Sequence, residues 1–122
     1  MSRPVHFEIP SSNPERAMAF YTAVFGWQFQ KWDGPMPYWM ITTGPNDQPG
    51  INGGLMPKQH PDQPCVNTMN VANLDETTKV IQANGGTNVV PKMPVPTVGW
   101  LAYFKDVDGH IFGCMQMDPS VK

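Results

Sequence analysis

Residues 5–26, VHFEIPSSNPERAMAFYTAVFG, contain the signals that decide the fold. The first five residues alternate between apolar and polar side chains, which is typical of a half-buried strand. Asn13 then provides a helix N-cap, with Pro14 at the first helical position. Four apolar residues at helical spacing form one stripe: Ala17, Phe20, Tyr21 and Val24. Gly26 follows where a helix typically ends, so the stretch predicts a strand, a helix and a stop.

The same signals recur sixty residues later in residues 65–86, CVNTMNVANLDETTKVIQANGG. Residues 65–69 predict a strand, Asn73 and Glu76 a capped helix start, and Gly86 a helix stop. Each helix is followed by strand-prone segments: 27–32, 38–43 and 51–53 in the first half, and 87–90, 99–104 and 111–113 in the second. The sequence therefore predicts an α+β fold made of tandem βαβββ repeats.

We expect one domain over residues 1–122, with repeats at 1–60 and 61–122. Residues 44–50, 57–64 and 91–96 are rich in Pro, Gly and polar residues and predict loops, and Asp106–Gly109 predicts a hairpin turn. A helix covers only one face of so small a sheet. We therefore expect the halves, or halves of two chains, to pair their mixed sheets around a cleft.

Composition excludes several classes of partner. Eight Lys and Arg against ten Asp and Glu give a net charge of −2, which is unsuited to a nucleic acid backbone. No apolar run is long enough to cross a membrane, and the first residues do not look like a signal peptide, so we expect a soluble cytoplasmic protein. Cys65 and Cys114 form no disulfide framework and are expected to be free thiols.

Two further landmarks point to a known family. Phe20-Tyr21 in the second half of the predicted helix precedes Val24-Phe25-Gly26-Trp27, and Asp106-Val107-Asp108-Gly109-His110 precedes the last strand. Together with the repeat and a histidine on the first strand, these landmarks resemble the vicinal oxygen chelate superfamily. That superfamily contains glyoxalase I, bleomycin-resistance proteins and extradiol dioxygenases.

The resemblance implies a divalent metal held by one residue from the first strand and one from the last strand of each repeat. The first-strand positions fall on His6 and Val66, and the last-strand positions on Gly53, or a close neighbour, and Gly113. Only His6 has a donor among these residues, whereas such a site usually needs three or four protein ligands. We therefore expect no metal, and glycines that widen the cleft for a ligand.

His6 and Glu8 are the candidate catalytic residues. Because they lie two apart on a strand, they share one face, where a carboxylate would orient the imidazole and raise its pKa. The alternative is a hydrogen-bonded pair at the rim of a sheet. His60, His110, Asp62, Asp106 and Asp108 have loop or turn positions as a sufficient explanation.

The abundance of Trp and Met indicates an apolar ligand site. If Gly113 faces the cleft, then Ile111 and Met115 do as well, and the repeat adds Ile51 and Leu55. Trp39 and Trp100 complete the predicted ligand-binding residues, and the sequence leaves open which face of the third strand of each repeat lines the cleft.

Two functions remain open. The first is a homodimeric binding protein that holds an apolar or aromatic small molecule without metal, as bleomycin-resistance proteins do. The second is a metal-dependent lyase, isomerase or dioxygenase that uses His6 and Glu8, with further ligands from Asp, Cys114 or the other chain. An interaction domain without ligand is harder to reconcile with glycines at both facing positions.

Overall fold

The computed structural model describes residues 2–122, which form two compact units. The N-terminal unit contains residues 6–65, and the C-terminal unit contains residues 66–122 together with residues 2–5. The boundary lies between Cys65 and Val66, slightly after the end predicted for the first repeat.

The N-terminal unit has the order strand, helix and three strands. Its elements are β1 (Pro4–Ser11, of which residues 6–11 belong to this unit), α1 (Pro14–Phe25), β2 (Gln28–Lys31), β3 (Trp39–Thr42) and β4 (Asn52–Pro57). The strands are arranged β2-β3-β4-β1, with β1 parallel to β4 and the other neighbours antiparallel.

The C-terminal unit repeats this order. Its elements are β5 (Val66–Asn70), α2 (Leu74–Ala83), β6 (Thr87–Val95), β7 (Gly99–Lys105) and β8 (Ile111–Met117). The strands are arranged β6-β7-β8-β5, with β5 parallel to β8 and the other neighbours antiparallel. The predicted α+β class with tandem βαβββ repeats is confirmed.

Both helices begin at the predicted caps. The Asn13 side chain accepts a hydrogen bond from the Arg16 N–H, and the Asn73 side chain accepts one from Glu76. Gly26 ends α1 in the left-handed conformation, with φ of 74°. The second helix ends at Ala83, earlier than Gly86 alone predicts.

The predicted loop at residues 91–96 is wrong, because β6 runs through Pro91 and Pro94 to Val95. Register shifts between Asn88 and Val90 and between Val90 and Met93 leave Pro91 outside the ladder. The strand is the last in its unit's order, and a strand of this kind tolerates residues that lack an N–H donor.

One face of each unit packs against its own helix. In the N-terminal unit, Phe7 contacts Trp27, whose ring stacks on Tyr21 of α1 at 4.9 Å. In the C-terminal unit, Leu74 of α2 packs with a buried cluster completed by Val71, Ala102, Phe104 and Cys114. We call the opposite side of each unit's strands its far face.

Candidate functional site

The far face of the N-terminal unit carries both predicted catalytic residues. His6 and Glu8 alternate with Phe7, whose ring lies on the helix side. Both side chains are half-buried, and β1 therefore places an imidazole and a carboxylate on one surface, as the alternation predicts.

Tyr38 joins these two groups. Its hydroxyl lies 2.7 Å from His6 Nε2 and donates to Glu8 Oε2 over 3.0 Å. The sequence analysis did not predict Tyr38, although it lies directly before β3 and beside Trp39, a predicted ligand-binding residue. The three side chains form one hydrogen-bonded chain, which we call the His6–Tyr38–Glu8 chain.

A tyrosine hydroxyl has a single proton, and this fixes which group donates in each hydrogen bond of the His6–Tyr38–Glu8 chain. Because that proton is donated to the Glu8 carboxylate, the hydrogen-bond network assigns a proton to His6 Nε2, which donates to the Tyr38 oxygen. The neutral imidazole then has its acceptor at Nδ1. The chain orders the imidazole without placing it in direct contact with the carboxylate.

The pKa of His6 is lowered from its ordinary value of 6.5, mainly because burial disfavours the imidazolium. The Glu8 charge acts in the opposite direction and is the smaller effect. The carboxylate therefore raises this pKa as predicted, but burial outweighs its effect and the net shift is downward. At neutral pH His6 is an uncharged base.

Gly54 makes room for Tyr38. The register pairs Glu8 with Gly54 on β4, and Gly54 with Met40 on β3, so these residues share the far face. A Cβ atom at Gly54 would overlap the Tyr38 hydroxyl and ring. Glycine is thus required here so that Tyr38 can reach between His6 and Glu8.

Apolar side chains flank the chain on the same face. The Trp32 ring meets the Tyr38 ring edge to face at 6.0 Å, and the backbone N–H of Trp32 donates to the Tyr38 carbonyl. Met40 is 43% exposed on this face. Trp32 and Met40 are further residues that sequence reasoning missed as candidates for ligand contact.

Trp39 and Leu55 do not lie on the far face with His6, Tyr38 and Glu8. They are register partners, and Leu55 is fully buried together with Ile41 on the helix side of the N-terminal unit. The predicted ligand-binding residues Trp39 and Leu55 therefore do not lie on the same surface as His6 and Glu8. Trp39 and Leu55 each lie one strand position from a far-face residue, Met40 and Gly54 respectively. Neighbouring residues of a strand point to opposite faces.

In the C-terminal unit, three of the four predicted residues share a face. Gly113 pairs with Tyr103 and Thr68, and Ile111 and Met115 alternate with it on β8, opposite Cys114 of the core. A Cβ atom at Gly113 would lie 3.0 Å from the Thr68 hydroxyl. The role of Ile111, Gly113 and Met115 in ligand binding stays a prediction.

Trp100 lies apart from them, on the helix side. It packs against the buried cluster under α2, and the Lys92 ammonium stands 5.1 Å from its ring centre. The structure therefore does not bring Trp100 together with Gly113, Ile111 and Met115.

The match between the two repeats also needs one correction. Glu8 pairs with Gly54, whereas Thr68 sixty residues later pairs with Gly113. The equivalent of Gly113 is therefore Gly54, at a spacing of 59 (113 − 54), and not Gly53. Gly53 lies on the helix side, where an added Cβ would meet the Phe7 ring.

With this register, the metal positions implied by the resemblance are His6, Gly54, Val66 and Gly113. Only His6 has a donor, and its Nε2 is already hydrogen-bonded to Tyr38. Within residues 2–122, no group of three or more His, Cys, Asp or Glu side chains gathers closely enough to hold an ion. The described residues do not fit the metal centre of the family.

The other titratable candidates have structural explanations. Asp106 accepts hydrogen bonds from the backbone N–H groups of His110 and Asp108, and these lower its pKa. Cys114 is buried in the core, where desolvation raises its thiol pKa to about 11. His60 and Cys65 are exposed.

A shallow groove of about 560 Å³ lies elsewhere on the N-terminal unit. It is lined by α1 and β2, including Met18, Trp27 and Phe29. Phe29 pairs with the buried Ile41 and thus belongs to the helix side. The groove does not include the His6–Tyr38–Glu8 chain, so we do not assign the site to it.

No helix in the described part of the chain, residues 2–122, is long and apolar enough to cross a membrane.

Comparison with solved structures identifies the same fold. A hypothetical protein from Bacillus halodurans matches with a TM-score of 0.74 and 11% identity, over 99% of this chain and 98% of the other. Methylmalonyl-CoA epimerase from Mycobacterium tuberculosis matches with a TM-score of 0.72 and 11% identity, over 95% and 88%. A variant epimerase from Streptomyces coelicolor, bound to 2-nitronate-propionyl-CoA, matches with a TM-score of 0.68 and 15% identity, over 98% and 96%. These identities establish similarity of fold alone.

A search of curated proteins returns no match. The sequence profile of one family matches residues 3–113, nearly the whole chain. Both the repeat order and the structural neighbours agree with that profile. The chain therefore belongs to the Glyoxalase/Bleomycin resistance protein/Dioxygenase superfamily.

Proposed function

We propose that this protein binds an apolar or aromatic small molecule on the far face of its N-terminal unit, without a metal. The observation that carries the proposal is the His6–Tyr38–Glu8 chain, with its 2.7 Å and 3.0 Å hydrogen bonds. A few fixed polar groups beside apolar side chains are the usual composition of a small-molecule site.

Trp32 and Met40 supply the apolar part. An aromatic ring and a thioether offer large, adaptable contact area to a planar or aliphatic ligand. The missing metal donors at Gly54, Val66 and Gly113 support binding over the metal-dependent chemistry of other superfamily members.

A second candidate is an isomerase or lyase that works by proton transfer. It is favoured by the lowered pKa of His6, which leaves a neutral imidazole able to accept a proton at neutral pH. The two candidates differ in the fate of the ligand. A binding protein returns it unchanged, whereas an enzyme converts it.

The proposal is tested by titrating the protein with naphthylmethanol, a neutral aromatic probe, and mapping backbone amide shifts by NMR. We expect the largest shifts in β1, β3 and β4. Tyr38→Phe removes the linking hydroxyl and should weaken binding about tenfold, the equivalent of about 1.4 kcal/mol.

Tyr21→Phe is the matched control, because it removes the same atom from a ring stacked on Trp27 under α1. It should leave the affinity unchanged. Shifts confined to the groove on α1 and β2, or equal effects of the two variants, would contradict the proposed site.

A further inference from the structure

The two nitrogens of the His6 imidazole have different hydrogen-bonding roles. Nε2 lies 2.7 Å from the Tyr38 oxygen, and because Tyr38 gives its single proton to Glu8, this hydrogen bond is donated by Nε2. A neutral imidazole carries one proton, so Nδ1 keeps a lone pair that can accept a hydrogen bond. The tautomer of His6 is therefore set within the protein, before any ligand binds.

Nδ1 of His6 is accessible to a ligand. Within residues 2–122, the side chain of His6 makes its hydrogen bond through Nε2 and none through Nδ1. Every buried side-chain nitrogen or oxygen in the same part of the chain has a hydrogen-bond partner. Because Nδ1 has no such partner, it is not one of the buried atoms. An incoming polar group can therefore reach it.

The surroundings of His6 favour its role as an acceptor. Burial lowers its pKa below the ordinary value of 6.5, so the imidazole keeps the lone pair of Nδ1 at neutral pH. Trp32 and Met40 flank the His6–Tyr38–Glu8 chain with apolar surface. An indole N–H only donates, and a thioether accepts only weakly, so neither side chain competes with Nδ1 for a donor on the ligand.

We infer that the ligand of this face carries a hydroxyl group, whose O–H donates a hydrogen bond to His6 Nδ1 while the apolar or aromatic body contacts Trp32 and Met40. The inference rests on the proposed binding function and adds the polar group of the ligand. A hydroxyl has one proton to donate, which matches the one lone pair of Nδ1. An ether of the same shape would displace water from Nδ1 without replacing its hydrogen bond.

The first experiment compares the affinities of naphthylmethanol and its methyl ether at neutral pH. The two probes share one aromatic body, and the ether lacks the O–H. We expect the alcohol to bind about fivefold more tightly, which corresponds to one hydrogen bond between neutral groups.

Two variants test whether His6 causes this preference. His6→Phe removes the acceptor and keeps a ring in its place, so it should bring the affinity ratio of alcohol to ether close to one. His60→Phe is the matched control, because His60 is exposed in the segment after β4. It should keep the wild-type ratio.

The second experiment needs no variant, because the ¹⁵N resonances of the imidazole report which ring nitrogen carries the proton. In wild-type protein at neutral pH we expect the proton of His6 on Nε2 and a lone pair on Nδ1. Naphthylmethanol should shift the Nδ1 resonance towards that of a protonated nitrogen, since a hydrogen bond withdraws electron density from the lone pair. The methyl ether should leave the resonance in place.

Each result decides between distinct outcomes. If the ether binds as tightly as the alcohol, or if Nδ1 carries the proton, the inference is wrong while the proposed binding site stands. An unchanged ratio in His6→Phe would attribute the preference to another group and overturn the role of His6. If neither probe binds, the proposed function fails, and the inference fails with it.

Discussion

The position of the Tyr38 side chain depends on the absence of a Cβ atom at Gly54. A Cβ atom at Gly54 would overlap both the ring and the hydroxyl of Tyr38. We predict that Gly54→Ala lowers the free energy of unfolding by about 1–3 kcal/mol, the usual cost of overpacking. The measurement is chemical denaturation.

Gly44→Ala is the control, because a Cβ there meets nothing within 4 Å. In a Tyr38→Ala background, the cost of Gly54→Ala should shrink, since the group it displaces is gone. An unchanged cost in that background would contradict the packing of Tyr38 against Gly54.

Burial of neutral His6 predicts a pH dependence of stability. Its folded-state pKa lies below the ordinary value of 6.5, so the unfolded chain binds more protons in the interval between them. The contribution of His6 is present above pH 6.5 and is lost as the pH falls through this interval. Denaturation at a series of pH values should show this loss.

His6→Gln should flatten the dependence below pH 6.5, whereas His60→Gln should retain it, because His60 is exposed. The difference in unfolding free energy between wild type and each variant, measured at each pH, separates the contribution of one imidazole from those of the other titrating groups. A wild-type protein that becomes more stable as the pH falls through this interval would disagree with the burial of a neutral His6.

The face on which a strand residue lies could be predicted where polar and apolar residues alternate, and could not be predicted where they do not. In VHFEI the polar residues mark the far face, and His6 and Glu8 were predicted together. In residues 38–41, YWMI, both alternating sets are large and apolar, so periodicity does not distinguish Tyr38 and Met40 from Trp39 and Ile41. Gly53 and Gly54 present the same ambiguity.

Both helices begin with the same kind of side-chain cap. Asn13 and Asn73 each accept a hydrogen bond from the backbone N–H three residues later. We predict that Asn13→Ala and Asn73→Ala each cost about 1 kcal/mol of unfolding free energy. Substitution by Ser should restore most of the loss, and failure of Ser to do so would assign the cost to something other than capping.

Element order was predictable because strong local signals mark it, whereas element length was not. Caps, prolines and glycines locate both helices within a few residues. Strand β6 was cut short because Pro91 and Pro94 read as breakers, and their tolerance follows from the strand's position at the end of its unit's order. That position is set by pairing with β7, which local sequence does not encode.

For the whole molecule, we predict a homodimer. Each small unit covers only one face of its sheet with its own helix, and a chain of 122 residues has limited means to bury the remaining apolar surface. Phe20 and Phe25 of α1 are also more than half exposed. Sedimentation at micromolar concentration should give about twice the 13.6 kDa of one chain, and a single species at 13.6 kDa would refute the dimer.

We propose that this superfamily member holds an organic ligand without a metal. Native mass spectrometry of protein purified without chelator, with elemental analysis of the same sample, tests this proposal. We predict an organic adduct or the bare chain, with no stoichiometric Zn²⁺, Ni²⁺, Mn²⁺ or Fe²⁺, because only His6 has a donor among the family's ligand positions. Close to one metal ion per chain in wild type, absent from His6→Ala, would contradict metal-free binding and favour the metal-dependent enzyme.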